Sequence, residues 1–429
     1  MVSKTASAKH DPDADTFSIN ELAKLYPYEL KWRERQPALL EKGYQLRPRF
    51  RPGWKPSWKK WDWLPRWIKY GLMNPYGRED SLPLMWGELI MDAIRVSDDA
   101  PVVMKIIDKH AHPEELNIAR SFTPLRDDRN HCVPVWDFFD APDDSARTII
   151  VMPLLRKFDD PPFETVGEVV ECVRQLLEGL QFMHEHNVAH RDCFTPNIMM
   201  DASPLYIRPF HPSNPAKRRD WKGPVKAISR TEYYNRTRKH VKYYFIDFGI
   251  SKRYPAGSTA SRELPIIPAD KSVPEHQGAL YHTPSNPFAT DVYLLGNAIR
   301  ERFMKRPGFE KLRFMEALVL QMTAENPLAR PKIGEAVARF ATLDPGNLDL
   351  SLSTASRGTG AQSASSRIAS QPAAFLSPRQ PETLQVAGQQ SLVTSAVAST
   401  SQHPAQTLKP GKDVQKNKKD KGAKGKGMG

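Results

Sequence analysis

His-Arg-Asp-Cys-Phe-Thr-Pro-Asn, residues 190–197, and Tyr-Tyr-Phe-Ile-Asp-Phe-Gly, residues 243–249, are the two stretches on which the fold turns. The first follows a helical pattern in which Val169, Val173, Leu176, Leu180 and Met183 recur at spacings of four and three, one face of a helix over 168–186. The second closes an apolar run of strand length, 242–246. His-Arg-Asp alone is a tripeptide that chance supplies often. An Asp with an Asn five residues on, behind an amphipathic helix and followed by a strand ending in Asp-Phe-Gly, is far more specific. Chemically, Asp192 can accept the proton of an attacking hydroxyl, while Asn197 and Asp247 offer hard oxygen ligands to a Mg²⁺ that bridges nucleotide phosphates. Gly249 lets the chain turn after the strand.

Outward from this centre, short β-like runs come first: 89–96 (LIMDAIRV) and 102–107 (VVMKII), separated by the turn-rich 97–101, then 147–155 (RTIIVMPLL). Helical stretches come later, at 291–304 and 310–322. Strands before helices predict an α+β protein of two layers or two lobes. No repeat at a fixed period is visible, which argues against solenoids and propellers.

The chain has 429 residues, 40% of them hydrophobic and 26% charged, enough for a sizeable core. Its longest apolar stretches, such as 148–155, fall far short of the roughly 20 residues that cross a bilayer. Only Cys132, Cys172 and Cys193 occur, without CxxC spacing, and residues 1–20 lack the apolar core of a signal peptide, so an intracellular, cytoplasmic or nuclear setting is expected. The net charge of +13 is uneven: residues 345–429 hold eleven Lys or Arg against four Asp or Glu, more than half the excess. Their Ser/Ala/Gln/Thr composition and Lys/Gly-rich end (409–429) read as a disordered tail. That end is either a solvated tail or a nucleic-acid contact or nuclear import signal. Residues 31–69 carry twelve Lys or Arg and six of the nine tryptophans, Trp32, Trp54, Trp58, Trp61, Trp63 and Trp67. Two readings stand: basic and aromatic residues that bind single strands, or irregular chain whose tryptophans pack on a neighbouring domain. Pro48, Pro52, Pro56 and Pro65 bar one continuous helix and favour packing.

Taken together, these residues resemble the eukaryotic protein kinases. Lys105 in VVMK sits at a strand end, where the family's phosphate-binding lysine belongs, and Glu115 in EELNI is its helix partner, with Glu114 the other candidate. Residues 151–155 (VMPLL) look like the strand into the hinge, which puts Met152 behind an adenine and Leu154 and Leu155 along its edge. Val273-Pro274-Glu275 resembles the family's Ala-Pro-Glu, Arg330 in NPLARP the arginine that pairs with that glutamate, and Asp291 in DVYLLG the aspartate that braces the catalytic loop. The resemblance covers about 84–344. More of the chain, in LRPRFRPGW, MDAIRVSDDAPVVMK, AHRDCFTPNIMMD, FHP, YYFIDFGIS and PFATDVYLLG, is similar to protein-kinase-like proteins common in mushroom-forming (basidiomycete) fungi. In that group the Trp-rich stretch leads into the kinase domain.

The resemblance implies a two-lobed fold with a small β-rich N-lobe (84–155) and a mainly helical, compact C-lobe (156–344), preceded by a polar segment (1–30) and the basic extension (31–83). It implies ATP and Mg²⁺ as cofactors and a protein substrate. Departures are also legible. Between Leu84 and Ile94 only Gly87 stands where the family has a glycine-rich loop, and Phe194 and Pro268 replace a lysine and a threonine near the substrate. Arg208 is a candidate to replace the missing charge. Asp192 and Asp247 are 55 residues apart because 201–242 is a basic, Pro-rich insert, either a plain loop or a dock for an acidic or phosphorylated partner. Arg191 suggests pairing with a phosphate on the segment that carries Ser258, Thr259 and Ser261, although any loop contains hydroxyls. His184, His186 and His190 lack Cys or His partners at zinc-like spacing, and His190 reads as a backbone-bonding core histidine. Three functions follow: a Ser/Thr-directed phosphotransferase with Asp192 as base, a kinase-like scaffold of weak or no activity, or a phosphotransferase for small molecules.

Overall fold

A strand pattern with period two decides which face of each β-residue meets which core. The computed structural model describes residues 21–61, 63, 65, 77–84, 86–221, 234–257, 262–266 and 270–343. In it β1 (Tyr44–Leu46), β2 (Ile90–Arg95), β3 (Ala100–Asp108), β4 (Asp137–Ala141) and β5 (Asp144–Pro153) form one curled antiparallel sheet, in the order β1-β2-β3-β5-β4. Along β3, Val102, Met104 and Ile106 face one core with Ile149 and Val151 of β5. Val103 and Lys105 alternate onto the other face, where Lys105 stands opposite Ile90 and Ile150.

The first core is covered by α1 (Pro27–Glu41), which buries Trp32 and Leu39 against the sheet. Trp32 also donates its indole N–H to the Glu88 carbonyl at 2.9 Å. Residues 31–69 are therefore not simply irregular: they hold most of α1 and all of β1. Neither element announces itself. Pro37 lies inside α1, its buried face includes Glu29, Arg35 and Gln36 rather than an apolar stripe, and β1 is three residues long. The buried carboxylate of Glu29 is held by Arg49 (3.0 Å) and accepts the Leu84 N–H (2.8 Å), so this buried pair is hydrogen-bonded as such pairs require. Trp58 is fully buried and packs edge-on against Trp54, whereas Trp63 is exposed; Trp67 lies outside the described residues.

Below the sheet, α2 (Glu115–Phe122) and α3 (Val166–Glu185) meet a second, larger core. The Thr165 side chain caps α3 by accepting the Glu168 N–H at 3.1 Å. A three-stranded sheet of β6 (Arg156–Lys157), β8 (Ile198–Asp201) and β11 (Lys242–Phe245), in the order β11-β8-β6, lies against it, with β7 (Val188–Ala189) paired to β12 (Lys252–Arg253). Between β8 and β11 stands a hairpin, β9 (Phe210–His211) and β10 (Asn214–Arg218). The chain then runs through α4 (Pro287–Ile299), which continues into a π-turn at Arg300–Met304, a 3₁₀ turn at Glu310–Met315, α5 (Glu316–Met322) and α6 (Ile333–Ala341). The class is α+β, as expected. The helix expected at 291–304 begins four residues earlier, at Pro287 behind the Asn286 cap, and the one expected at 310–322 is α-helical only from Glu316. No helix among the described residues is long and apolar enough to cross a membrane. The tail from 345 on lies outside the described residues.

His131 joins β11 to α3 from within. Its Nδ1–H donates to the Tyr243 carbonyl at 2.8 Å, and its Cβ presses so closely on α3 that only Gly179 fits there, a Cβ at that position lying 2.6 Å away. Burial pushes the imidazole down to about 4. A folded value depressed below the unfolded 6.5 contributes stability above about pH 6.5, which is lost as pH falls toward 4. The shift corresponds to about 3 kcal/mol. Urea unfolding of His131→Gln is expected to show a shallower loss of stability between pH 6.5 and 4 than the unaltered chain; equal slopes would contradict this assignment.

Candidate functional site

The inward face of the sheet and the loops beneath it enclose a cleft of about 570 Å³. Its lining includes Val103 and Lys105 of β3, Met152 at the end of β5, Leu154 and Leu155 just beyond it, and Asp247. A pocket of this size, mostly apolar with a few convergent charges, is the usual form of a small-molecule site.

Lys105 is the hub. Its Nζ donates to Glu115 Oε1 at 2.5 Å and to Asp247 Oδ1 at 2.7 Å. Burial pulls the ammonium down, but the carboxylates of Asp247 and Glu115 outweigh it and hold the group above an ordinary lysine. Burial likewise pushes Asp247 up, yet Lys105 beside it keeps the carboxyl below its usual value, so it is ionised at neutral pH. Burial raises Glu115, against the pull of Lys105. Glu114 is used elsewhere, accepting the Arg253 N–H at 3.0 Å. Asp247 adopts a left-handed backbone (φ 64°), rare for a non-glycine residue and characteristic of functional sites. Gly249 stands in the turn that follows the strand, as expected, with the Ser251 N–H donating to the Phe248 carbonyl at 3.0 Å, and space there is also tight: a Cβ would lie 3.1 Å from Asp247 Oδ1 and 3.4 Å from Glu115 Oε2. Its N–H donates to Asp247 Oδ1 at 3.2 Å, and its carbonyl is bonded to His112 Nδ1 at 2.7 Å.

Asp192 and Asn197 form the other half. Asn197 Nδ2 donates to Asp192 Oδ2 at 2.8 Å and to the Asp192 carbonyl at 3.1 Å, which fixes the loop's shape. The Asn197 carbonyl accepts the Ile246 N–H at 3.0 Å, so the loop is stitched to the residue before Asp247. His190 is fully buried, its Nε2 bonded to the Ile246 carbonyl at 3.1 Å. Beneath them the buried carboxylate of Asp291 accepts the N–H groups of His190 (2.7 Å) and Arg191 (2.6 Å) and bonds to His184 Nε2 (3.0 Å). Arg191 too is left-handed (φ 68°), a conformation that these bonds hold in place. Farther down, Arg330 grips Glu275 with two bonds of 2.7 and 2.6 Å, and Thr290 adds a third at 2.8 Å. Burial pushes Glu275 up, but Arg330 prevails and keeps it below the usual range.

Magnesium fits the donor set. A carboxylate and a carboxamide oxygen, from Asp247 and Asn197, are what a Mg²⁺ that keeps waters and substrate phosphates takes, rather than an all-protein cage. Among the described residues no cluster of three or more His, Cys, Asp or Glu forms such a cage.

Several features were not legible beforehand. The Arg191 guanidinium is engaged by a carboxylate: Nη1 donates to Glu263 Oε1 at 2.6 Å, Lys252 Nζ lies 2.7 Å from Oε2, and the Tyr254 hydroxyl bonds the same group. The hydroxyls at 258, 259 and 261, and Pro268, lie outside the described residues. Burial pushes Glu263 up, yet Lys252, Tyr254 and Arg191 hold it low. Glu263→Gln is expected to cost about 2 kcal/mol in urea unfolding at neutral pH, because it leaves a largely buried arginine without its counter-charge. An unchanged unfolding midpoint would show that the cluster contributes nothing.

At the top of the cleft Trp86 lines the wall beside the single glycine, Gly87, which is left-handed (φ 77°). Arg208 is exposed and absent from the cleft lining. The insert's charge is partly internal: Arg236 is buried and donates to the Pro161 carbonyl at 2.6 Å, and Arg218 pairs with Asp220. No protein-family model and no curated protein matches the chain.

Proposed function

We propose that the chain is an ATP- and Mg²⁺-dependent phosphotransferase with the two-lobed architecture of the protein kinases, acting on serine or threonine hydroxyls of a protein. The observation that carries this reading is the cation of Lys105 held between Glu115 and Asp247, stitched through Ile246 to the Asp192–Asn197 pair. Met152, Leu154 and Leu155 offer an apolar wall for the adenine, and Lys105 a fixed positive charge for the inner phosphates. Asn197 and Asp247 would hold magnesium, which when bound neutralises charge on the phosphates. In the transfer, the substrate hydroxyl oxygen bonds to the γ-phosphorus, its proton passes to the Asp192 carboxylate, and ADP leaves. The buried Glu275–Arg330 fork supports a protein substrate over a small molecule, since the segment it anchors belongs to the protein-kinase pattern.

A scaffold of weak or no activity is the second reading. It is favoured by Trp86 in the cleft, by the single glycine beside it, and by Phe194 in place of a lysine. ATP with Mg²⁺ tests the nucleotide site that the first reading requires: ligand at a hundred times its Kd raises folding stability by about 2.7 kcal/mol. That shift is expected for the unaltered chain and is expected to vanish in Lys105→Met. A melting temperature indifferent to ATP and Mg²⁺ would favour the scaffold.

A further inference from the structure

The insert between β8 and β11 does not stand away from the cleft. Its hairpin contributes Phe210, Pro212, Ser213, Asn214, Pro215 and Ala216 to the cleft lining, beyond Leu155. It is fastened on two sides. From below, the buried Arg156 of β6 donates to the Pro215 carbonyl at 3.0 Å, pairs with Asp160 at 2.8 Å, and lies over the rings of Tyr206 and Phe210 at 5.2 and 4.9 Å. From above, Arg219 donates to the Asp99 carbonyl at 2.7 Å and pairs with its carboxylate, in the turn between β2 and β3. The Trp221 indole donates to the Gly77 carbonyl at 2.7 Å, and Ser213 Oγ lies 3.4 Å from the buried Asp92.

An element bonded to both walls of a cleft sets how far those walls separate, and side chains in its lining touch what lies inside. We infer that the β9–β10 hairpin is a wall of the ligand site. It contacts the base and ribose end of a bound purine nucleoside triphosphate through Pro212–Ala216 and slows its escape by tying the β2–β3 turn to the β6 side. The inference rests on the cleft being a nucleotide site. It gives the basic insert a task inside the molecule, and it supplies at the outer end of the cleft a cover that the glycine-poor stretch before β2 is badly shaped to provide.

The test uses the full chain and a fluorescent, non-hydrolysable ATP analogue with Mg²⁺, with Kd measured by titration and the dissociation rate by stopped flow. Ala216 is exposed, so Ala216→Trp does not threaten folding, which a thermal melt checks. A new indole at the wall either clashes with the ligand or stacks on it, and Kd is expected to move by about fivefold or more in either direction. Arg219→Ala frees the upper anchor and is expected to speed dissociation by about three- to tenfold, since loosening a preformed site acts mainly on the off-rate. Arg339→Ala, on the exposed side of α6, is the control and leaves both constants unchanged. An Ala216→Trp chain that matches a nucleotide-binding parent in both constants overturns the hairpin proposal and leaves the nucleotide reading intact. A parent that binds no nucleotide overturns both.

Discussion

Asp192→Asn is expected to lower the single-turnover rate of phosphoryl transfer by about 10²–10⁴-fold while leaving ATP affinity and folding stability near those of the unaltered chain. The asparagine keeps the size of the side chain, and its oxygen can still accept the Asn197 Nδ2 bond that measures 2.8 Å in the parent. What it loses is the ability to take the proton of an attacking hydroxyl. Rates at saturating ATP and Mg²⁺, paired with a binding titration, separate the two effects. A rate within a few-fold of the parent would remove Asp192 from the chemistry.

Asp291→Ala is expected to act differently, through the framework. Asp291 is fully buried and satisfies two backbone N–H groups and the His184 imidazole within 3.0 Å. Its removal strands these donors in the interior, each costing about 1–3 kcal/mol, so the total loss in urea unfolding is expected near 4 kcal/mol. Arg191 would also lose the bond that fixes its left-handed backbone, and Asp192 is the next residue along the chain. A loss under 1 kcal/mol would mean that water or a neighbouring group replaces the carboxylate.

Much of this site was readable because its parts are short and chemically specific. Lys105, Asp192, Asn197 and Asp247 are marked by local patterns, although Lys105, expected at a strand end, lies within β3, where the alternation of the strand sets it on the face opposite Met104 and Ile106. Glu115 was harder, since Glu114 adjoins it, and only burial and the 2.5 Å contact decide between them. Glu263 gave no local signal at all. Its importance comes from three partners, Arg191, Lys252 and Tyr254, that only the tertiary fold assembles. The outer layer on the sheet was hidden for a related reason: α1 buries Glu29, Arg35 and Gln36 in ion pairs and hydrogen bonds, so its inward face carries no apolar period. The insert at 201–242 read as either a plain loop or a dock for an acidic or phosphorylated partner because its charges count toward composition, whereas the structure engages Arg219 and Arg236 of that insert in internal contacts.

The most direct measurement gives γ-labelled ATP and Mg²⁺ to the purified full chain and to its Asp247→Asn form, with a generic protein acceptor present. Label on the acceptor or on the chain itself is expected from the unaltered protein and is expected to disappear in Asp247→Asn, where the carboxylate that meets Lys105 at 2.7 Å is gone. No label from an unaltered chain that binds ATP would contradict phosphotransfer and leave a nucleotide-binding scaffold in its place.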